Sequence, residues 1–328
     1  MSAALLVRAL RDPGSVAGLD AAGWNGLIAA ARAERLIGTL ACRLSGMAVP
    51  DAAGPILDDA RREAATEARQ ALWEADRAAL ALRELGVRVV LLKGTAYVAA
   101  GLKAGEGRFI GDLDILVPRD AMPAVERALM AAGWEWVKED AYDAAYYRTW
   151  MHELPPMIHV ERDRMIDVHH TILPLTARPK PDAAAMLAEA VPVADGLWVL
   201  SPEDRVVHAA AHMLADGDLQ GGLRNLWDIY CLLPDGDPAR LAARARLHGL
   251  GPHVAQAGRL AAALYGEGAT LGLWDRIVRA RLLARDGWGR ETRKALAFAF
   301  YIRSHLLRMP PMMLARHLWT KWRKGHRP

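Results

Sequence analysis

Along the first 85 residues, apolar positions recur at helical spacing among Ala, Leu, Glu and Arg. The clearest case is DDARREAATEARQALWEADRAALALREL, built of good helix formers and followed by Gly86, a residue suited to ending a helix. At Val87 the texture changes. VRVVLL is a short unbroken apolar run and predicts a buried strand, TAYVAAGL a short helix, LDILV a second strand, DAMPAVERALMAAG a helix with Asp120 near its start, and WEWVK a short strand. Strands alternating with helices predict an α/β unit. After a segment rich in Tyr, Trp and Met, PMIHVER and RMIDVHH flank Asp163-Arg164 as the arms of a hairpin. VPVADGLWVL turns at Asp195-Gly196 as a second, smaller one.

From SPEDRVVHAAAHML onward the helical period returns. Ser201 is placed to cap, Pro202 suits the first helical position, and Asp204 completes a capping-box-like S-x-x-D. About six helices are expected from here, punctuated at Pro234, Gly251, Gly287 and Pro310-Pro311. No segment repeats at solenoid spacing. The chain therefore divides by pattern into a helical segment (1–85), an α/β core (86–200) and a helical region ending in a basic tail (201–328).

Composition alters this picture little. With 328 residues, 52% of them hydrophobic, the chain can bury one large core or two ordinary ones without staples. Cys42 and Cys231 stand far apart in no metal-ligand spacing, which points away from a disulfide framework or a cysteine zinc site and toward a reducing cytoplasm. MSAALLVRALRDPGS carries no charged leader and is broken by Arg8 and Arg11, so no signal peptide is expected. No uncharged apolar run reaches the ~18 residues that a bilayer span requires. Charge is less even than the net +4 suggests. From Arg276 onward 14 Lys/Arg face only Asp286 and Glu291, a formal +12 that leaves −8 for residues 1–275. FYIRSHLLRMPPMMLARHLWTKWRKGHRP interleaves these cations with aromatic residues and Met. It reads as packed helix with cations reaching to solvent, and also as a surface for an acidic partner.

The candidate chemistry lies in LLKGTAYVAAGLKAGEGRFIGDLDILV. Residues two apart on a strand share a face, so Asp112 and Asp114 project together from an apolar strand. Two carboxylates so placed repel each other unless positive charge sits between them, and a divalent cation supplies it. In RMIDVHH the face shared by Met165, Asp167 and His169 carries one more carboxylate. If that strand neighbours the first, three aspartates converge on a set of hard oxygen ligands suited to Mg²⁺. Two such ions clamp the attacking and leaving oxygens of a displacement at phosphorus. Lys93-Gly94-Thr95 falls between strand and helix, where the backbone N–H groups of Gly94, Thr95 and Ala96 and the Thr95 hydroxyl are expected to meet a phosphate. Arg108 is within reach of the same phosphates. His169 is expected to contact nucleotide or orient Asp167, and Glu161 stands as an alternative third acid.

A strand ending in Gly-Thr, a short helix, a strand with Asp-x-Asp and a third Asp on a later strand resemble the polymerase-β-type nucleotidyltransferase fold. More narrowly, LLKGTA, R-x-x-x-DLDILV and IDVHH resemble an uncharacterised bacterial nucleotidyltransferase family. The resemblance covers roughly residues 60–235. It implies a cytoplasmic enzyme that transfers a nucleoside monophosphate from ATP or another NTP to an unknown acceptor. Asp112, Asp114 and Asp167 would hold two Mg²⁺ ions, Asp167 would assist deprotonation, and Gly94 and Thr95 would hold the triphosphate. The chain departs from the superfamily in having Gly-Thr where Gly-Ser or Gly-Gly is common, and in His170 where the narrower family often has Trp. Phosphoryl transfer from ATP and non-catalytic nucleotide sensing are the rival readings. His208 and His212, at the spacing of a helical zinc pair, lack the glutamate of H-E-x-x-H and read as core residues. Asp228 in LRNLWDIYCLL interrupts an apolar helix face and is expected to meet His212 or Arg224.

Overall fold

In the computed structural model, which describes residues 2–137, 141–315 and 319, the chain opens with α1 (Ser2–Arg11), α2 (Ala21–Ala33), α3 (Ile37–Arg43) and α4 (Gly54–Leu82). α4 carries the predicted stripe: Leu57, Ala60, Ala64, Ala71, Ala75, Ala78 and Leu82 are buried along it. A short 3₁₀ turn follows, and Gly86 ends it in the left-handed region at φ 64°, the role expected of glycine at that position.

The central part contains β1 (Val89–Leu91), α5 (Lys93–Ala99), β2 (Asp112–Leu116), α6 (Met122–Ala131), β3 (Trp134–Trp136), α7 (Ala141–Trp150), β4 (Met157–His159), β5 (Met165–His169), α8 (Ala183–Ala188), β6 (Val191–Ala194) and β7 (Leu197–Val199). Its seven strands form one mixed sheet in the order β3-β4-β5-β2-β1-β7-β6. β2 runs parallel to β5 and β1 to β7, and the other neighbours are antiparallel. This is the α/β class that the pattern predicts. Both expected hairpins form. Asp163 takes the left-handed conformation between β4 and β5, and Gly196 takes it between β6 and β7. The WEWVK segment shortens to Trp134–Trp136 at the sheet edge, and Lys138 lies outside the described residues.

α4 packs across β1, β2 and β7, and two of its acids fix the sheet. Glu67 Oε2 accepts the amide of Ile110 at 2.6 Å, just before β2 begins. Glu74 holds Arg162 of the β4–β5 turn through two bonds of 2.8 and 3.0 Å. The Arg162 guanidinium lies over the rings of Trp73 and Trp134, at 5.2 and 4.8 Å from their centroids. A charge pair whose cation is held between two rings keeps its geometry better than a solvated one, so the hairpin that carries β5 is pinned to the helix beneath it.

The helical region follows with α9 (Pro202–Ala210), α10 (Gly222–Leu232), α11 (Pro238–Leu247), α12 (Gly251–Tyr265), α13 (Leu273–Leu282) and α14 (Lys294–Arg308). Ser201 caps α9 by accepting the amide of Asp204 at 3.2 Å. The capping box stops there. The Asp204 carboxylate does not return to Ser201 but meets Arg244 Nε at 2.9 Å and His248 Nε2 at 3.3 Å. Asp204 is wholly buried, and a buried carboxylate is stabilised more by a cation than by one backbone amide.

N-terminal and C-terminal helices meet in space. α1 packs on α12, and Glu34 accepts from the Leu223 amide at 3.2 Å and from Arg285 Nε at 2.8 Å. α14 buries Phe300 and Ser304 while Phe298, Tyr301, Ile302 and Leu306 are exposed. Residues 316–318 and 320–328 of the basic tail lie outside the described residues. Among the described residues no helix is long and apolar enough to cross a membrane.

Candidate functional site

The register of β2 against β5 decides the site. Asp114 pairs with Asp167 and Asp112 with Met165 across the two parallel strands. Because strand side chains alternate, Asp112, Asp114 and Asp167 emerge on one face, and an oxygen from each lies within 4.8 Å of the others. Leu113, Ile115, Ile166 and Val168 point the other way into the core. Glu161, the alternative third acid, sits exposed in the β4–β5 turn.

The burial of these acids is graded, and so is their chemistry. Asp112 is exposed, Asp167 half-buried and Asp114 2% exposed. Burial alone would push the Asp114 carboxyl up. The Lys93 ammonium, 2.6 Å from Oδ1, and the His169 ring, whose Nε2 lies 3.0 Å from the same oxygen, reverse this and hold it well below the carboxylate range. Asp167 has no such partner. Burial first, then the neighbouring charges of Asp114 and Glu153, push its carboxyl up to about 7. Its Oδ1 is buried and has no hydrogen-bond partner among the described residues. Three carboxylates against one ammonium leave a negative excess, and one oxygen from each lies within 4.8 Å of the others. That donor set, all oxygen and anionic, fits Mg²⁺.

Lys93 reaches Asp114 from an unusual backbone position, φ 48° at the first residue of α5. A left-handed conformation is costly for a side chain of this kind and is tolerated where surrounding structure enforces it. Here the turn from β1 into α5 is held by the Leu92 amide donating to Asp114 O at 3.0 Å, so the residue before Lys93 is tied to the one that bears its carboxylate. Rather than reaching toward solvent, Lys93 neutralises the most buried aspartate, and that charge outweighs the burial that would otherwise lower its own pKa.

The Gly-Thr pair is placed differently from the expectation. A Cβ on Gly94 would lie 2.6 Å from Arg108 Nε, so glycine here admits the Arg108 side chain. Thr95 is buried, its hydroxyl has no hydrogen-bond partner among the described residues, and the Ala96 amide already donates to Leu92 O at 3.3 Å. The expected free Ala96 N–H is therefore corrected: it closes the first turn of α5. Arg108 crosses Gly94 to pair with Asp228 and lies 5.5 Å from the Tyr97 ring. Asp228, as expected, also meets Arg224, at 3.2 Å.

Lys93, Tyr97, Arg108, His208, His212, Asn225 and Asp228 line a narrow cleft between the sheet and the helical region. Burial pushes His208 far below the imidazole range and His212 down to about 3, so both are neutral near pH 7 and offer hydrogen bonds, not charge. His212 lies in a π-helical stretch, Ala211–Asp216, that continues α9. Wider turns of this kind often occur at functional positions.

Glu153 and His152 had no signal in the sequence. They follow α7 in the segment without clear period, and a single antiparallel bridge sets Glu153 opposite His169. His169 thus touches Asp114, and its Nδ1 lies 3.4 Å from Glu153 Oε2. The aspartate it hydrogen-bonds is Asp114 and not the expected Asp167. A family model described as "uncharacterised nucleotidyltransferase" matches residues 20–266. No curated protein matches the chain.

Proposed function

The chain belongs to that family of nucleotidyltransferases, and on this basis we propose that it moves a nucleoside monophosphate from ATP to a nucleophilic group of an acceptor, with Mg²⁺, releasing pyrophosphate. The observation that supports this most is the pairing of Asp114 with Asp167 across β2 and β5, with Asp112 on the same face. Asp112 and Asp114 would hold two Mg²⁺ ions, and Asp167 would share one. Bound there, the ions neutralise charge on the attacking and leaving oxygens at phosphorus.

The chain's own groups supply the rest. Asp167 would accept the proton of the acceptor hydroxyl as that oxygen forms a bond to the α-phosphorus and the α–β bridge breaks, with pyrophosphate leaving. Lys93 and Arg108, paired with Asp114 and Asp228, would supply positive charge beside a bound triphosphate. Arg108 is held in place by Asp228 and Tyr97. His208, His212 and Asn225 on the opposite wall offer neutral hydrogen-bonding groups to the nucleotide or acceptor. Catalysis of this kind rests on positioning and fixed charge. A reducing cytoplasm is the proposed setting, in keeping with Cys42 and Cys231 as free thiols.

The test compares ATP labelled at the α- or γ-phosphate, incubated with the full chain, Mg²⁺ and a desalted cell extract as the source of acceptor. The α-label is expected on a product, with pyrophosphate released and nothing transferred in excess chelator. Transfer of the γ-label overturns the reading in favour of phosphoryl transfer.

A further inference from the structure

Beside the three aspartates lies a second group of ligand atoms with different chemistry. His169 ends β5 with its ring buried, 3% exposed. Nε2 stands 3.0 Å from the ionised Asp114 Oδ1, so that nitrogen carries the proton. On the other side of the ring Nδ1 faces Glu153 Oε2 at 3.4 Å and has no hydrogen-bond partner among the described residues. His152 Nε2 lies 3.6 Å from that same Glu153 oxygen, and His152 Nδ1 is also buried and unpartnered. The group is built on the sheet. The His170 amide donates to His152 O at 2.8 Å and the Leu154 amide to Val168 O at 2.9 Å, which holds Glu153 opposite His169.

The separations discriminate between two explanations. An N–H···O hydrogen bond spans about 2.7–3.2 Å, and both contacts exceed it. Ligand atoms placed about 2.1 Å from a tetrahedral ion of the zinc class stand about 3.4 Å from one another, close to both. All three candidate ligand atoms lie within 4.8 Å of each other. Two imidazole nitrogens and one carboxylate suit zinc-class ions, whereas Mg²⁺ prefers oxygen alone. A metal-bound histidine characteristically donates its other N–H to a carboxylate. For His169 that carboxylate is Asp114.

We infer that His152, Glu153 and His169 form a site for one zinc-class divalent ion, joined to the three-aspartate group through the His169–Asp114 hydrogen bond. An ion on Nδ1 keeps the proton of His169 on Nε2 and so fixes the donor that Asp114 accepts. The site is independent of which nucleotide or acceptor the enzyme uses.

The test titrates Co²⁺ into the metal-stripped full chain in excess Mg²⁺ and follows the visible absorption of low-symmetry Co²⁺, with Zn²⁺ as competitor. One equivalent is expected to bind, to be displaced by one equivalent of Zn²⁺, and to persist in Asp112→Asn. In His152→Ala the affinity should fall by more than the roughly 10–100-fold that follows loss of a supporting partner alone. Glu153→Gln should do the same, and circular dichroism of both variants confirms that they fold. Absence of Co²⁺ binding in excess Mg²⁺, a signal unchanged in two folded variants, or a signal lost in Asp112→Asn would each overturn the assignment.

Discussion

Replacing Asp167 by Asn should stabilise the metal-free protein while weakening its response to Mg²⁺. The Asp167 carboxyl is raised from an ordinary 3.8 to about 7 by burial and by Asp114 and Glu153. A carboxyl raised on folding binds its proton more tightly in the folded than in the unfolded chain. Stability therefore falls as pH rises from about 4 to about 7, and the whole penalty is present above 7. At 1.36 kcal/mol per pH unit this is at most about 4 kcal/mol, and about 2–4 kcal/mol after allowing for coupling among the acids. With an unfolding entropy of about 2.1 cal/mol/K per residue, Asp167→Asn should raise Tm at pH 8 by about 3–6 °C. At pH 5 the gain should shrink to under about 2 kcal/mol. Thermal unfolding at both pH values, with and without Mg²⁺, reads all of this. Mg²⁺ should raise Tm for the parent chain and by less for the variant. A variant Tm equal to or below the parent at pH 8, or a gain that does not depend on pH, would refute the reasoning.

Lys93→Met leaves Asp114 buried without its ammonium and should cost about 3–5 kcal/mol in the metal-free protein, part of it recovered on adding Mg²⁺, as thermal unfolding would show. Mg²⁺ must displace the proton of Asp167, so its apparent affinity should weaken roughly 5–10-fold from pH 7 to pH 6, measurable by calorimetric titration. Arg162→Ala strands Glu74 beneath the sheet and removes two ring contacts. A loss of about 3 kcal/mol in urea unfolding is expected, with reduced turnover because the β5 hairpin that carries Asp167 is released from α4.

The parts of this site that follow strand alternation were legible in the sequence. Asp112, Asp114 and Asp167 each interrupt an apolar strand with period two, and both hairpins are marked by residues that tolerate their turns. Periodicity tells which face is buried but not what lies against it. Gly94 reads as a place for phosphate, and only the tertiary path of Arg108 shows what fills the space above it. Asp204 reads as part of a capping box until Arg244, distant in sequence, supplies a cation. Glu153 and His152 lie where no period exists, and a lone bridge to His169 gives them their position. Lys93 in the left-handed region and the π-helical turn around His212 are departures from local preference that local preference could not foretell.

The most direct measurement of the three-aspartate site is an anomalous difference map from crystals grown with Mn²⁺ and an ATP analogue that cannot be cleaved at the α–β bridge. Metal peaks bounded by Asp112, Asp114 and Asp167, touching the analogue's phosphates, are predicted, with Lys93 or Arg108 beside the triphosphate. A nucleotide bound elsewhere, or Mn²⁺ peaks that leave Asp167 unliganded, would contradict it.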